Sequence, residues 1–255
     1  MSSWNPKDHL QFERERTLPC HDLVERIELS SPFRIADLGC GPGNSTAVLA
    51  ERWPEASLVG IDNSPEMLKI SRETQIKAEW LQVDIRNWNP TSLYDLIFSN
   101  AALQWIPDHE TEIVRLFNMV SEGGALAFQI PTHIDLWYSV LEKVVLNPKW
   151  VDRFHKFSSG FYTHKLDFYY DLLSQRSKKI GLWETEYYHV LPDPEAIVEW
   201  TKATGVRPFL NRLSDQKTRD EFITQYTHEI ARTYPKQRDG KVLFPFLRRF
   251  VIAYR

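Results

Sequence analysis

The feature that most constrains the fold of this chain is a regular alternation, between residues 34 and 130, of short apolar runs and segments of helical period. Such alternation is typical of a parallel sheet whose strands are joined by crossover helices. The predicted strands cover residues 34–38, 57–62, 79–83, 94–99 and 125–130, and the predicted helices cover residues 44–53, 65–71 and 109–120. Successive strand–helix units of this kind predict an α/β fold with a doubly wound sheet.

After residue 131 the alternation lapses and then resumes. Residues 132–176 are predicted to form an insertion, in which a helix precedes an aromatic segment of weak periodicity. The later pattern predicts a strand at 182–190, helices at 194–204 and 214–234, and a closing strand at 246–254 preceded by Pro245. The predicted sheet therefore has seven strands, with its last pair partly antiparallel, and a second insertion covers residues 205–240.

The N-terminal part of the chain is predicted to be a separate helical layer. Residues 8–27 contain two short amphipathic stretches that are split near residues 17–19. We expect residues 1–30 to form a lid over the ligand cleft and residues 31–255 to form one domain. A chain of 255 residues with 42% apolar residues is large enough for one sizeable core and near the upper limit for it.

Charge and composition narrow the class of partner. The net charge is −3 and no long run of one sign occurs, which argues against general attraction to nucleic acid or to an anionic membrane surface. The start of the chain has no apolar leader-like stretch, and no segment approaches the roughly 20 apolar residues that span a bilayer. We expect a cytoplasmic protein, monomeric or homodimeric, that acts on a small molecule.

The first predicted strand runs into the glycine-rich loop DLGCGPGN at residues 37–44. In parallel α/β sheets, ligands bind at the carboxyl ends of the strands, close to the point where the strand order reverses. Glycines let the backbone turn sharply and approach a ligand, and the helix that begins at Asn44 offers unpaired N–H groups. The loop is therefore the predicted ligand site.

The spacing and charge of this loop distinguish two ligand classes. A dinucleotide site has the pattern Gly-x-Gly-x-x-Gly, but here the third glycine, Gly43, comes one residue early. The Asp37 carboxylate repels a phosphate and attracts an ammonium group, and S-adenosylmethionine has an ammonium group and no phosphate. Asp62 follows the loop by about 20 residues, the spacing at which a carboxylate accepts ribose hydroxyls. The pattern favours S-adenosylmethionine over NAD.

The next two strand ends supply further candidate ligands. Asp84 and Ile85 are placed to receive the adenine, and residues 100–105 form a bend facing the methylthio end of the cofactor. Taken alone, Asp62 also suits a helix cap and Asp84 an ordinary turn. Cys40 is interpreted as a small filler that contributes backbone, because neither the other cysteine nor a nearby histidine suggests redox or metal chemistry.

The loop DLGCGPGNST at residues 37–46, with Asp62 and Asp84, resembles that of class I S-adenosylmethionine-dependent methyltransferases, which implies a Rossmann-like sheet. Further motifs are similar to those of trans-aconitate 2-methyltransferases: SWNP at 3–6, DIRNW at 84–88, AxLQWxPDH at 101–109, TEYYH at 185–189, ATGVRP at 203–208 and RRFVIA at 248–253. The resemblance implies methyl transfer to a carboxylate, giving a methyl ester and S-adenosylhomocysteine. The predicted cofactor-binding residues are Asp37, Gly39, Cys40, Gly41, Gly43, Asn44, Asp62, Asn63, Met67, Asp84, Ile85, Asn100, Ala101 and Trp105.

A carboxylate acceptor is ionised at neutral pH and needs no general base, so the expected task of the protein is placement, with Trp105 and His133 bounding the acceptor. Non-reacting carboxylates require cations, and Arg binds them through paired hydrogen bonds. The first candidate is Arg207, although a helix-terminal surface charge is the alternative. Arg248 and Arg249 point to opposite faces of a strand, so at most one faces the site and the other is expected to be solvated.

Tyr187 and His189 share one face of a strand and are candidates for acceptor binding, or else ordinary sheet-core residues. The histidines lack the spacing of a zinc site, so no metal is expected. One departure from the family pattern concerns the acceptor. Thr132 and His133 stand where the family usually has Asp-Asn. Three alternatives stay open: a small-molecule O- or N-methyltransferase with another acceptor, a non-catalytic binding module, and an NAD-dependent oxidoreductase.

Overall fold

The computed structural model describes residues 13–132 and 135–255, which form one seven-stranded sheet covered by helices. The strand order is β3-β2-β1-β4-β5-β7-β6. The strands are β1 (Arg34–Leu38), β2 (Ser57–Asp62), β3 (Ala78–Gln82), β4 (Tyr94–Asn100), β5 (Val120–Pro131), β6 (Lys179–Leu191) and β7 (Val242–Tyr254). The predicted seven-stranded, doubly wound α/β sheet is confirmed.

Pairing direction changes at the last strand. Strands β1 to β5 pair in parallel, whereas β7 lies between β5 and β6 and is antiparallel to both. The strand order reverses between β1 and β4. The chain continues from β1 to β2 on one side, and from β4 to β5 on the other. That switch point is where a ligand cleft forms in sheets of this type.

Helices cover both faces of the sheet. They are α1 (Glu13–Glu25), α2 (Asn44–Arg52), α3 (Pro65–Glu73), α4 (His109–Asn118), α5 (Leu136–Val145), α6 (Leu166–Leu173), α7 (Pro194–Lys202), α8 (Arg207–Arg212) and α9 (Gln216–Thr233). One face packs against α1 and α2, and the other against α4 and α6. No helix within the described ranges has the length and apolarity needed to cross a membrane.

The predicted break in the N-terminal helical region is wrong for the described residues. Helix α1 continues through Pro19, because Cys20, Leu23 and Val24, on one helical face, are all buried against the sheet. This burial outweighs the loss of one hydrogen bond at the proline. Residues 1–12 of the predicted lid lie outside the described residues.

The boundary between α4 and β5 also differs from the prediction. The predicted helix extends to residue 120 and the predicted strand begins at 125, but β5 already begins at Val120, which pairs with Tyr94. The pairing register then shifts between Tyr94 and Leu96, Gly123 has a φ of 79°, and a Cβ on Gly124 would lie 2.6 Å from the Asp95 carbonyl oxygen. The two glycines therefore serve a bulge inside the strand.

The two predicted insertions contribute a third hydrophobic core at one end of the sheet. In it α5, α7 and α9 pack against the first half of β7, where Val242, Phe244 and Phe246 are buried. Strand β7 begins four residues earlier than expected, so Pro245 lies inside it, opposite Tyr188. This end of the molecule borders the carboxyl end of β5, and thus the ligand cleft.

Candidate functional site

A cavity of about 520 Å³ lies at the carboxyl ends of the parallel strands. We call its two parts the glycine-loop half, lined by residues at the ends of β1 to β4, and the arginine half, lined by Trp105, Trp137, Phe161, Arg207 and Arg248 among others. The predicted cofactor-binding residues on its wall are Gly39, Cys40, Gly41, Asn44, Asp62, Asn63, Met67, Asp84, Ile85, Asn100, Ala101 and Trp105. The predicted acceptor-binding residues on its wall are Arg207 and Arg248.

The glycine loop is held against β2 by its own backbone. The N–H groups of Gly39 and Cys40 both donate to the carbonyl oxygen of Ile61, at 2.7 and 3.0 Å. Gly39 has a φ of 70°, and a Cβ there would lie 2.1 Å from the Cβ of Ala102. Only glycine fits at this position, because the loop and the bend after β4 approach each other so closely.

Gly41 is constrained differently. Its φ is 54°, but a Cβ there would meet no protein atom within 4 Å, so the space beside it belongs to the cavity. Its N–H donates to Asp62 Oδ2 at 2.9 Å, and the N–H of Ser64 donates to Asp62 Oδ1 at 2.8 Å. Burial raises the pKa of Asp62, and these N–H donors oppose the rise. The cap of α3 is Ser64, whose Oγ accepts from Met67 N–H, so the helix-cap interpretation of Asp62 is wrong.

Asp37 lies beneath the loop and not on the cavity wall. Its Oδ2 accepts hydrogen bonds from Ser45 Oγ at 2.7 Å and Thr46 Oγ1 at 2.6 Å, both in the first turn of α2. Its Oδ1 is buried and has no hydrogen-bond partner among the described residues. Burial raises the pKa of Asp37 to about 6, against the effect of the two hydroxyl donors. The carboxyl thus ties the loop to α2 and places a buried acidic group beneath the loop.

Asp84 is a turn residue that also lies on the cavity wall. Its carboxylate accepts from Arg86 Nη2 at 2.6 Å and Nε at 2.9 Å, and also from the Arg86 N–H, so it caps a short 3-10 turn (Ile85–Asn87). The hydrogen bonds from Arg86 lower the pKa of Asp84. Asp84, Ile85 and Arg86 all line the cavity, so the turn that Asp84 caps forms part of the cavity wall.

The bend after β4 is strained and pinned from two sides. Ala101 has a φ of 55°, its N–H donates to the Gln129 carbonyl oxygen at 3.0 Å, and its own carbonyl accepts from Gln104 Nε2 at 2.6 Å. Gln129 Nε2 in turn donates to Asn100 Oδ1 at 2.9 Å. A non-glycine residue in this backbone region persists only where its surroundings hold it, and such residues cluster at functional sites.

The arginine half has aromatic walls and two cations. Trp105 meets Phe161 edge to face at 5.4 Å between ring centroids, and Trp137 stacks with Phe246 at 6.1 Å. Arg248 is 6% exposed, and its guanidinium carbon lies 4.3 Å from the centre of the Phe246 ring. Arg207, the first residue of α8, is half-buried on the same cavity. The arrangement suits an anionic ligand with more than one charged group.

Several predicted site residues lie off the cavity wall. Arg249 is on the opposite face of β7 from Arg248, and the expectation that it is solvated is wrong, since it is 5% exposed and donates to Glu184 Oε1 at 2.7 Å. Gly43 has a φ of 101°, and a Cβ there would contact Trp80 at 3.3 Å, so it shapes the loop from behind. His133 lies outside the described residues.

Tyr187 and His189 share a face, as predicted, but neither lines the cavity. Their rings stack at 6.3 Å; the Tyr187 hydroxyl donates to Asp22 on α1, and His189 packs against Trp200 at 4.7 Å. Burial, followed by the charge of Arg248, lowers the pKa of His189 to about 4, so the ring is neutral near pH 7. Tyr187 and His189 therefore pack behind the cavity wall, in agreement with their interpretation as ordinary sheet-core residues.

Sequence reasoning missed a set of wall residues in the arginine half. They are Thr17, Gln104, Ile106, Pro131, Trp137, Ser159, Gly160, Phe161, Trp200, Thr204, Gly205, Pro208, Asn211 and Phe246. Gln104 and Gly205 belong to motifs that had already been singled out, and those motifs could have indicated them. The segment at 159–161 has no local signal, because its place on the wall depends on contacts with distant strands.

The glycine-loop half fits S-adenosylmethionine on three observations. The space beside Gly41 accepts ligand atoms, Asp62 is a half-buried carboxylate on the wall, and the buried Asp37 carboxyl beneath the loop places a negative charge behind this part of the cavity. No residue of Lys or Arg lies on the loop itself to receive a pyrophosphate. The carboxylates of Asp37 and Asp62 therefore match a ligand with a ribose and an ammonium group.

Comparison with known proteins agrees with this geometry. Residues 35–124 match the sequence model of a methyltransferase domain. Among solved structures, the YcgJ protein from Bacillus subtilis superposes with a TM-score of 0.60 at 13% identity, covering 92% of this chain and 97% of that one. The plantazolicin methyltransferase BpumL in complex with S-adenosylhomocysteine gives a TM-score of 0.54 at 18% identity, covering 97% and 87%. These structures share the fold.

Relatives of known name match over the whole length. Trans-aconitate 2-methyltransferase from Azoarcus sp. (strain BH72) is 40% identical over 255 residues, covering 100% of both chains. The enzymes of the same name from Escherichia coli O7:K1 (strain IAI39 / ExPEC) and Rhodopseudomonas palustris (strain HaA2) are each 39% identical, covering 100% of this chain and 99% and 100% of theirs. The chain is therefore an S-adenosylmethionine-dependent methyltransferase that belongs to the trans-aconitate 2-methyltransferase family.

Proposed function

We propose that the protein transfers the methyl group of S-adenosylmethionine to one carboxylate of trans-aconitate, giving a monomethyl ester. The observation that carries the proposal is the joining, in one cavity, of the glycine loop to an aromatic-walled half that contains both Arg207 and Arg248. The full-length relatives named as trans-aconitate 2-methyltransferases support the same acceptor. A tricarboxylate has two carboxylates left when one is methylated, and the arginine half presents two cations.

The glycine-loop half is the proposed cofactor site. Asp62 is assigned to the ribose hydroxyls, Asp84 and Ile85 to the adenine, and the space beside Gly41, with the charge of Asp37 beneath the loop, to the amino acid part. When bound, S-adenosylmethionine supplies a methyl group on a positively charged sulfur, and its transfer to a carboxylate oxygen leaves S-adenosylhomocysteine and exchanges no proton. The bend at Asn100 and Ala101 lies between the two halves, where that group is expected.

The arginine half is the proposed acceptor site, and placement is its function. A carboxylate with a pKa near 4 is ionised at neutral pH, so no residue is required as a base. Arg248 is buried and therefore binds a carboxylate with little competition from water, whereas Arg207 is half-buried. Holding the reacting oxygen in line at about 3 Å supplies several kcal/mol through orientation alone.

The aromatic rings are proposed to exclude water from the reacting carboxylate. Trp105 and Phe161 form one wall, and Trp137 with Phe246 forms another. A carboxylate must lose its water shell before it reacts with the methyl carbon, and water exclusion strengthens every charge interaction in the site. Because the positive charge of the sulfonium disappears during transfer, apolar walls favour the products.

The test is turnover by the purified protein with S-adenosylmethionine and trans-aconitate, followed by mass spectrometry. We expect a product heavier than trans-aconitate by one methylene, formed together with S-adenosylhomocysteine. A panel of other tricarboxylates, dicarboxylates, amines and phenols run in parallel serves as the control. Turnover of an uncharged acceptor without turnover of trans-aconitate would contradict the proposal and favour the alternative of a different small-molecule acceptor.

A further inference from the structure

Arg249 is a buried cation on the side of β7 that faces away from the cavity. It is 5% exposed, and its Nε donates at 2.7 Å to Glu184 Oε1 on β6, the residue directly opposite it in the sheet. Its Nη1 donates at 2.8 Å to the carbonyl oxygen of His164. Burying a guanidinium costs desolvation free energy. The hydrogen bond from Arg249 Nη1 to a backbone carbonyl of a distant segment therefore requires an explanation.

His164 ends a segment that forms part of the cavity wall. Residues 159–164, here called the wall segment, contain Ser159, Gly160 and Phe161 on the cavity. Within this segment, Tyr162 N–H donates to the Gln104 carbonyl oxygen at 2.7 Å. The segment is therefore joined to β7 at one point and to the bend after β4 at another, and Phe161 lies just before the two attachments.

Side chains of α4 and α6 pack beside the end of the wall segment. His109 is 1% exposed, its Nε2 is 2.9 Å from the Leu103 carbonyl oxygen and its Nδ1 is 2.7 Å from the Tyr169 hydroxyl. A carbonyl only accepts, so Nε2 carries the proton and Nδ1 accepts from Tyr169. The His164 ring stacks on Phe168 at 4.0 Å, next to Tyr169 on α6. The His164 ring at the end of the wall segment therefore packs beside a His109 ring whose two nitrogens are both hydrogen-bonded.

We propose that Arg249 is a positioning residue for the acceptor, which acts by fixing the wall segment and through it Phe161. It touches neither ligand: the guanidinium holds the His164 carbonyl, Glu184 orients the guanidinium, and the segment between His164 and Tyr162 sets where the aromatic wall stands. The hydrogen bond from Tyr162 N–H to the Gln104 carbonyl joins this network to the bend after β4, and Arg249 itself lies on the far side of β7 from the cavity. Loss of Arg249 is therefore expected to weaken acceptor binding and to spare the cofactor. This inference rests on the proposed acceptor for its kinetic part only.

The test compares Arg249→Met with Arg249→Lys, and uses Arg176→Met as the matched control. Arg176 also donates to a backbone carbonyl, that of Leu172 at 2.8 Å, but it is exposed on the surface after α6. In Arg249→Met we expect the KM for trans-aconitate to rise about tenfold or more, since a misplaced wall disturbs the reacting geometry. The affinity for S-adenosylhomocysteine is expected to change less than about twofold, and Arg249→Lys to recover part of the KM.

Hydrogen exchange gives a readout that needs no acceptor. In Arg249→Met the amide of Tyr162 is expected to exchange about tenfold faster, while the amides of Gly39 and Cys40 keep their rates. Unchanged exchange at Tyr162, or equal acceleration at Gly39 and Cys40, would overturn the proposal. If Arg249→Met does not fold, Arg249→Lys and Glu184→Gln are read on the same amides, and unchanged rates in both would also overturn it. Failure of the wild-type protein to methylate trans-aconitate refutes the proposed acceptor and leaves this readout intact.

Discussion

The two halves of the cavity are built in different ways. The glycine-loop half consists of successive strand ends and their short loops, so each of its residues lies within a few positions of a strand that places it. The arginine half is assembled from α5, the wall segment, α8 and β7, which are far apart in the chain. The sheet itself sets the positions of residues in the glycine-loop half, whereas those in the arginine half depend on long-range packing. Changes in one half are therefore expected to leave the other intact.

The largest expected effect is in the glycine-loop half. In Gly39→Ala the added Cβ would lie 2.1 Å from the Ala102 Cβ at a φ of 70°. Overpacking together with an unfavourable backbone costs about 3 kcal/mol, so affinity for S-adenosylhomocysteine should fall about 100-fold in calorimetry. Gly181→Ala is the matched control, because a Cβ there meets nothing within 4 Å. Equal affinities in the two variants would show that the loop does not need its close approach to Ala102.

The next largest effect concerns the two cations of the arginine half. Arg248→Met removes a buried charge, and we expect the KM for trans-aconitate to rise about 10- to 100-fold. Arg207→Met removes a half-buried one and should raise this KM about three- to tenfold. Arg212→Met, an exposed arginine in the last turn of α8, is the control. If all three variants also lost S-adenosylhomocysteine affinity, the separation of the halves would be refuted.

A smaller effect is expected from a glycine of the arginine half. A Cβ on Gly205 would lie 2.4 Å from the tip of the Trp137 ring, which is 2% exposed. In Gly205→Ala the ring must shift, and we expect the KM for trans-aconitate to rise several-fold, since overpacking costs about 1–3 kcal/mol. Steady-state kinetics with varied acceptor measures it. An unchanged KM in a variant that binds S-adenosylhomocysteine normally would show that Trp137 does not shape the acceptor site.

The smallest effect is a pH dependence specific to the glycine-loop half. Burial raises the pKa of Asp37 from 3.8 to about 6, so the folded, ligand-free protein binds this proton more tightly than the unfolded chain. Its contribution to the free energy of unfolding therefore falls as pH rises from about 4 to 6. As the carboxyl ionises near its pKa of about 6, its charge attracts the ligand ammonium, so affinity for S-adenosylhomocysteine should increase a few-fold between pH 5 and 7.

Asp37→Asn should abolish both slopes, as followed by thermal unfolding and calorimetry across this pH range. Asp220→Asn, an exposed residue of α9, is the control and should retain them. Identical pH profiles for wild type and Asp37→Asn would contradict the role given to the buried carboxyl.

What could be predicted from the sequence follows the same division. The strands and most of the glycine-loop half were predictable, because strand ends, the glycine spacing and Asp62 are local signals in the sequence. The exceptions are instructive. Asp37 and Gly43 belong to the glycine-loop motif but lie behind the cavity wall. The spacing of residues in a sequence does not show which side of a loop faces the ligand.

The arginine half was less predictable for physical reasons. Alternation along β7 showed that Arg248 and Arg249 diverge, but which of them faces the cavity depends on where the helical layers lie. The burial of Arg249 depends on Glu184, which is its neighbour only once β6 has paired with β7. Likewise, helix α1 continues through Pro19 because of packing on the sheet, and a helix propensity cannot include that contact.

The most direct test of the account is a crystal structure of the protein with S-adenosylhomocysteine and trans-aconitate. We expect the nucleoside at Asp62, Asp84 and Ile85, two carboxylates of trans-aconitate on Arg207 and Arg248, and the third directed towards the sulfur between the aromatic walls. Trans-aconitate bound without contact to either arginine, or S-adenosylhomocysteine bound away from the glycine loop, would contradict the central claim that one cavity joins a cofactor half to a separate acceptor half.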